Sequence, residues 1–313
     1  MGVPAQGGGA ADGPAGRPYA AAMTSDAAPV PDDPAAWTGE RVANWLRLSA
    51  GLERQLAPVS DVLFAAAALA PGERVLDVGC GTGPTTREAA GAVGPDGSVT
   101  GLDVSAGMLE AAASVPVPDG AAPITWTPGD AVTWDAPAAA FDAVISRFGV
   151  MFFSDPAAAF ATLAGATAPG GRLAVAVWAR RDESPLFEVP LAAALEVTRA
   201  HGVADPEGLE PDGGPFSLGD PAAVTALLER AGWSDVAVTP HRLALPFGGG
   251  LTPADAAATA AGFGPNRILF ADLDDDVRAE AVARVAEVLG HHVDGDGHVV
   301  LDGRIFTITA RRG

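Results

Sequence analysis

A glycine-rich segment, RVLDVGCGTGP, is the part of the sequence with the clearest chemistry. Glycines stand at alternate positions 79, 81 and 83, directly after a short β-branched run, and Pro84 follows them. Glycine lets a ligand approach the backbone, and a helix that begins at a proline offers free N–H groups at its first turn. The spacing therefore predicts a strand, a ligand-binding loop and a helix in direct succession.

Two carboxylates indicate which ligand this loop would hold. A dinucleotide-binding loop needs its third glycine three residues after the second, and Pro84 occupies that position. Asp77 would repel a pyrophosphate and suits a ligand that carries a positive charge. Asp103 ends the next predicted strand, where a carboxylate can accept hydrogen bonds from both hydroxyls of a ribose. The alternative for Asp103 is a solvated acid at a strand end.

Short apolar, β-branched runs predict the strands that position these residues, and they alternate with helical stretches. Such alternation is typical of right-handed βαβ units in a parallel sheet with both faces covered, which is an α/β fold. The predicted strands are 74–78, 98–104, 124–126, 143–146 and 173–178, and the helices between them are 84–92, 105–113 and 156–166.

The flanking parts of the chain are less regular. Residues 1–36 contain 23 Gly, Ala or Pro residues and are predicted to be a disordered tail. Two helices are expected over 37–70, separated at Pro58. Predicted helices at 185–200, 220–231 and 274–289 and strands at 234–245 and 298–309 complete the chain. The predicted units are 37–70, a core over 71–178, a cover segment over 179–218, and a final part over 219–313 with a cap insertion at 246–297.

Five segments carry a resemblance to a known family: VLDVGCGTG (75–83), GLDVS with Met108 and Leu109 (101–109), PGDA (128–131), FDAVISRFGVMFF (141–153) and DPAAAFATLAGATAPGGRLAVAVW (155–178). Together they resemble the class I S-adenosylmethionine-dependent methyltransferases, and within them the ubiquinone/menaquinone-biosynthesis type of methyltransferase domain. Segments 147–152 and 246–297 look closer to bacterial small-molecule methyltransferases. The resemblance implies a Rossmann-like, seven-stranded, mostly parallel sheet with N-terminal helices and a helical cap.

The resemblance also implies S-adenosyl-L-methionine as the cofactor and a position for each of its parts. The methionine part would lie against Asp77, Gly79, Cys80, Gly81, Thr82 and Gly83, and the ribose against Asp103. Around adenine the candidates are Val104, Met108, Gly129, Asp130 and Ala131; a plain turn is the alternative for residues 129–131. Ser146 and Arg147 would lie beneath the methionine part and face the substrate.

Apolar side chains after the fourth and fifth strands are candidates for binding the methyl acceptor. Few polar groups stand among these side chains, which favours a flat or apolar acceptor. The alternative is that they simply pack in the core. These candidates are Phe148, Met151, Phe152, Trp178, Phe187 and Phe263. The cap is expected to select the substrate; formation of a homodimer is its alternative role. His241 and His201 are the candidate catalytic bases, although in-line methyl transfer depends mainly on alignment.

Charge and composition exclude several classes of function. A net charge of -20 disfavours nucleic acid and anionic membranes as partners. The single cysteine cannot form an internal disulfide, which favours a cytoplasmic protein, and no apolar run approaches a membrane span. His291, His292 and His298 with Asp294 and Asp296 could suggest a metal, but a Gly-Asp-Gly hairpin turn is favoured and no metal is predicted.

The predicted function is S-adenosylmethionine-dependent methyl transfer to oxygen, nitrogen or carbon of a small organic acceptor in specialised metabolism. The alternative is a relative that binds the cofactor without transferring methyl and binds or reshapes a small ligand. The intact motifs do not discriminate between the two.

Overall fold

The computed structural model describes residues 39–210, 212 and 214–313. The tail predicted over residues 1–36 lies outside the described residues. No helix in the described ranges is both long and apolar enough to cross a membrane.

Seven strands form one sheet in the order β3-β2-β1-β4-β5-β7-β6. Only β7 runs antiparallel, pairing with β5 on one side and β6 on the other. The α/β, Rossmann-like fold predicted from the sequence is thereby confirmed. The strands are β1 Arg74–Val78, β2 Ser98–Asp103, β3 Ile124–Pro128, β4 Phe141–Arg147, β5 Thr167–Trp178, β6 Trp233–Pro246 and β7 Val300–Arg312.

Nine helices accompany the sheet within the described residues, and several begin at a proline preceded by a capping side chain. Asp155 accepts from the backbone N–H of Ala158, and Asp220 does the same for Ala222 and Ala223. The helices are α1 Gly39–Ala67, α2 Pro84–Val93, α3 Ala106–Ser114, α4 Pro156–Ala166, α5 Pro185–Ala200, α6 Pro221–Arg230, α7 Pro253–Ala260, α8 Gly264–Phe270 and α9 Asp275–Leu289.

The prediction of two N-terminal helices separated at Pro58 is wrong, because α1 continues through this residue. A proline inside a helix removes one hydrogen bond and costs about 3 kcal/mol. Here the buried face of the helix runs across it, with Leu56 and Val59 on either side and Leu63 one turn later. Burying such side chains contributes roughly 1.5–3 kcal/mol each, which outweighs the loss at Pro58.

The APGG segment, residues 168–171, precedes the predicted strand 173–178 in the sequence but lies inside β5. Phe141 pairs with Thr167 and Ala143 with Arg172, so β5 carries extra residues opposite β4 at this point. Gly170 takes a φ of +78° there. An irregularity of this kind lets a strand continue past an insertion, which is why β5 begins earlier than its apolar run indicates.

The strand order reverses between β1 and β4, whose carboxyl ends form the crevice where open α/β sheets bind ligands. Because β6 runs parallel to β5 and β7 returns antiparallel, the connection between β6 and β7 leaves and re-enters at this same edge. It contains α7, α8 and α9.

This connection packs into the body of the protein. Helix α9 lies against α5, and the turn after β6 lies against α1. The side chain of Gln55 accepts from the backbone N–H of Gly248 at 2.7 Å. A Cβ on Gly51 would come within 2.4 Å of the Gly248 carbonyl oxygen, so the two segments touch backbone to backbone. Removing the connection would therefore uncover core surface.

Candidate cofactor and acceptor site

The glycine loop turns back over β2 immediately after β1. The backbone N–H groups of Gly79 and Cys80 both donate to the carbonyl oxygen of Leu102, at 2.8 and 3.2 Å. Gly81 has a φ of +53°, and a Cβ added to it would meet no atom within 4 Å. The loop therefore presents bare backbone to open space, as binding of a ligand against it requires.

A second glycine, which the sequence analysis did not single out, crosses the loop. A Cβ on Gly149 would lie 2.5 Å from the Val78 oxygen and 2.7 Å from the Cα of Gly79. The hydroxyl of Ser146 fixes this crossing, since it donates to Val78 O at 2.7 Å and accepts from Gly149 N at 3.1 Å. Ser146 is fully buried beneath the loop. Only glycine at both positions allows the turn after β4 to touch the turn after β1.

Asp77 is completely buried at the carboxyl end of β1. Its Oδ2 accepts from the hydroxyls of Thr85 and Thr86, each at 2.7 Å, whereas its Oδ1 has no hydrogen-bond partner among the described residues. Burial raises the pKa of Asp77 to about 6, although the two threonine hydroxyls act in the opposite direction. An unpaired carboxylate oxygen in such a place lacks a donor that a cationic ligand would supply.

Asp103 links the two loops of the crevice. Its Oδ2 accepts from the backbone N–H of Gly81 and its Oδ1 from that of Ser105, both at 2.8 Å. Burial raises the pKa of Asp103, and these two hydrogen bonds oppose the rise. The carboxylate thus holds the glycine loop and the start of α3 in register. Each oxygen keeps a lone pair that a ribose hydroxyl can use.

The remaining candidates around adenine lie on the segments that follow β2 and β3. Val104 is 40% exposed, whereas Met108 and Ala131 are buried. The backbone N–H of Gly129 donates to Asp103 O at 3.0 Å, which joins the ends of β3 and β2. Asp130 accepts from Val132 N at 2.9 Å and so starts a turn.

Trp126 and Arg87 support the glycine loop from the side of β3, and sequence reasoning missed both. A Cβ on Gly83 would meet the Trp126 ring at 2.2 Å. The guanidinium of Arg87 donates to Thr82 O at 2.8 Å and to Ala112 O at 3.3 Å, and so ties the loop to α3. The buried thiol of Cys80 lies on the same side, and burial raises its pKa. The signal for Trp126 was its place in a predicted strand beside the strand that contains Gly101, which it opposes in the sheet.

Arg147 extends from the end of β4 towards α1. Its guanidinium contacts both carboxylate oxygens of Glu53 at 2.7 Å and donates to the hydroxyl of Ser60 at 2.8 Å. The Arg147 side chain is only 8% exposed. Its side chain thus fastens α1 at the carboxyl edge, and a contact with the cofactor stays a prediction.

The apolar candidates gather into one aromatic cluster, defined here as Phe148, Trp178, Phe187, Phe216 and Phe263. Phe148 stacks on Trp178 with centroids 4.3 Å apart, and Phe187 meets Trp178, Phe216 and Phe263 at 5.0, 5.0 and 6.4 Å. Phe216 is the member that the sequence did not identify.

Two features tie the aromatic cluster to the crevice. Phe148 adopts a φ of +68°, a left-handed conformation that is uncommon for a side chain of this size, directly before Gly149. Met151 accepts from Trp178 N through its sulfur at 3.4 Å, and Phe152 beside it is half-buried. Apolar rings therefore stand next to the glycine crossing.

The two candidate bases lie apart from this crevice. His241 lies on β6 and hydrogen-bonds Thr307 of β7 at 2.8 Å. Strand β6 is four strands from β1, which places it about 19 Å from β1 at the usual strand spacing. His201 caps the far end of α5, and its Nε2 lies 2.8 Å from Glu280. The structure brings neither imidazole to the glycine loop.

The histidine and aspartate residues near the start of β7 form a turn. Asp294 accepts from the backbone N–H groups of Asp296 and His298, both at 2.9 Å, and Val293 bridges Val299 across it. The acidic groups of this turn are exposed. The hairpin turn expected from the sequence is therefore present, and the absence of a metal stays a prediction.

Comparison with known proteins shows which class this fold and loop belong to. Residues 75–171 match the family described as a methyltransferase domain. The chain is 41% identical over 103 residues to aklanonic acid methyltransferase of Streptomyces sp. (strain C5), an alignment that covers 33% of this chain and 47% of that protein. It is 31% identical over 172 residues to demethylmenaquinone methyltransferase of Mycolicibacterium vanbaalenii, covering 54% of this chain and 71% of that protein.

The chain thus spans about half the length of the first of these relatives and more than two thirds of the second. A crystal structure from Anabaena variabilis, provisionally assigned as a methyltransferase of an antibiotic biosynthesis pathway, superposes with a TM-score of 0.53 at 15% identity. That superposition covers 80% of this chain and 96% of that one, and it shows the fold alone.

The chain belongs to the class I S-adenosylmethionine-dependent methyltransferases. S-adenosylmethionine is accordingly its cofactor, and the family and cofactor implied by the resemblance are confirmed.

Proposed function

We propose that this protein transfers the methyl group of S-adenosylmethionine to a small, flat organic acceptor in specialised metabolism. The observation that carries the proposal is the unpaired Oδ1 of buried Asp77, next to a glycine loop with open space beside it. The cofactor's ammonium group supplies the missing donor, and the bare backbone at Gly81 admits the methionine part.

The residues of the crevice fit the other parts of the cofactor. Asp103 has lone pairs left for the ribose hydroxyls, and Val104 offers an exposed apolar surface for the adenine ring. The bound cofactor supplies a methyl group on a positively charged sulfur. What the protein adds is alignment, since holding two reactants in line contributes roughly 7–11 kcal/mol to lowering the barrier.

The acceptor side of the proposal rests on the aromatic cluster. Phe148, directly after β4, begins a series of ring contacts that continues through β5 and α5 to the β6–β7 connection. An apolar conjugated molecule bound against these rings would be held by stacking and shielded from water. The net charge of -20 argues against nucleic acid as the acceptor. One relative is named for a small-molecule acceptor, aklanonic acid.

We expect the purified protein to transfer labelled methyl from S-adenosylmethionine to members of a panel of hydroxylated aromatic and polyketide-like compounds. Mass spectrometry of the products would give the mass of one added methyl group, and NMR would identify the methylated atom. The Asp77→Asn variant serves as the control with impaired cofactor binding. Binding of the cofactor with no methylated product across the panel would contradict the proposal and favour a non-transferring relative.

A further inference from the structure

A second buried polar atom without a partner lies outside the cofactor crevice. Asn266 in α8 is 2% exposed, and its Oδ1 accepts no hydrogen bond from any described residue. Leaving a buried amide oxygen unpaired costs about 1–3 kcal/mol, so such a group ordinarily finds a partner. An acceptor atom held ready in this way is typical of a site completed by a ligand.

The position of Asn266 connects it to the aromatic cluster. Phe263 precedes it by three residues and stacks on Phe187, and a Cβ on Gly264 would lie 3.4 Å from the Phe187 ring. Leu269 and Phe270, three and four residues later, are buried like Asn266. Asn266, Leu269 and Phe270 therefore share the buried face of α8, and α8 packs against α5, which carries Phe187.

The chain topology places this amide on the acceptor side. Helix α8 belongs to the connection that stands on the carboxyl edge of the sheet, and Phe187 links it through Trp178 to Phe148 beside the glycine crossing. The rings of the cluster bind apolar surface but cannot orient a flat molecule within its own plane. A hydrogen-bond acceptor on α8, two residues after the Gly264 that lies against Phe187, would supply that orientation.

We propose that Asn266 is a specificity-determining residue whose Oδ1 accepts a hydrogen bond from a hydroxyl group of an aromatic acceptor. This inference rests on the proposed function, and it adds the chemical class: a conjugated ring that carries a hydroxyl group. A site built to bond a hydroxyl rejects the analogue without it, because the buried oxygen is then left unpaired.

The proposal is tested by binding, with S-adenosylhomocysteine present, of two probes that match in size. 1-Naphthol carries the hydroxyl, and 1-methylnaphthalene replaces it with a methyl group. We expect the wild-type protein to bind 1-naphthol at least tenfold more tightly. Asn266→Leu should reduce this preference to less than threefold while the affinity for S-adenosylhomocysteine stays within twofold of wild type.

The melting temperature distinguishes this role from a structural one. Because Asn266→Leu removes an unpaired oxygen, its melting temperature should equal or exceed that of the wild type. Asn266→Ala, which leaves extra room, provides a second variant with the same expected loss of preference. Thr198→Val is the matched control, since it removes a buried hydroxyl already bonded within α5.

Equal binding of the two probes by the wild type, or an unchanged preference in either Asn266 variant, would overturn the inference. Failure of the proposed function has a different signature. In that case the hydroxyl preference is present and depends on Asn266, but no acceptor in the panel is methylated.

Discussion

Asp77→Asn is expected to weaken S-adenosylmethionine binding roughly a hundredfold, the largest effect that we predict for a single substitution. The variant keeps the shape of the side chain and an oxygen for Thr85 and Thr86. It places an amide donor where Oδ1 would meet the ammonium group of the cofactor. A charge-assisted hydrogen bond in a buried site contributes about 1.5–3 kcal/mol, and a donor facing a cation adds repulsion.

The pH dependence gives this prediction a second, independent signature. Because burial raises the pKa of Asp77 to about 6, the folded protein holds this carboxyl protonated at lower pH, and only the charged form attracts an ammonium group. Cofactor affinity should therefore fall about tenfold between pH 7.5 and pH 5. Calorimetric titration across this range should show the dependence in the wild type and not in Asp77→Asn.

As pH rises, the stability of the cofactor-free protein should fall, whereas cofactor affinity should rise. A carboxyl whose folded pKa lies above its unfolded value favours the folded state when protonated, so this contribution is lost as pH rises from about 4 to about 6. The wild type should lose unfolding free energy relative to Asp77→Asn across that window. Asp142→Asn is the matched control for cofactor affinity, since Asp142 pairs with Arg74 at the end of β1 that lies away from the glycine loop. A wild-type affinity with no pH dependence would refute the role of Asp77.

Asp103→Ala is expected to weaken cofactor binding at least tenfold while the protein remains folded. The substitution removes the oxygens proposed to accept from the ribose, and it also frees the backbone N–H groups of Gly81 and Ser105. The affinity for S-adenosylhomocysteine, measured by calorimetry, should therefore fall together with a modest decrease in melting temperature.

The exposed turn before β7 offers a matched control for this experiment. Asp294 also accepts from two backbone N–H groups, those of Asp296 and His298, but far along the chain from the glycine loop. Asp294→Ala should lower the melting temperature without changing cofactor affinity. Unchanged affinity in a folded Asp103→Ala protein would show that Asp103 is only a residue at a strand end.

Local signals were sufficient to predict most of the fold. The predicted bounds of β1, α4 and α5 are those observed, because glycine, proline and capping residues mark the ends of these elements. The helix through Pro58 and the irregular start of β5 could not be predicted in this way. Both depend on packing against distant segments, which outweighs the local preference of proline and glycine.

The site was predictable where one short segment supplies it. Asp77 and the glycine loop could be identified from spacing alone, whereas the crossing of Gly149 over Gly79 joins two segments distant in the sequence. The partners of Arg147 on α1 are equally remote. An asparagine such as Asn266 has no signal in the sequence, because only the folded structure shows that its amide oxygen is buried and unpaired.

Calorimetric titration with S-adenosylhomocysteine and, separately, with NAD tests most directly whether the glycine loop is built for a cationic sulfur cofactor and its product. We predict that S-adenosylhomocysteine binds at one site per chain and that NAD, whose pyrophosphate would face Asp77, shows no binding at the same concentrations. Binding of NAD without a response to S-adenosylhomocysteine would contradict the account of this site.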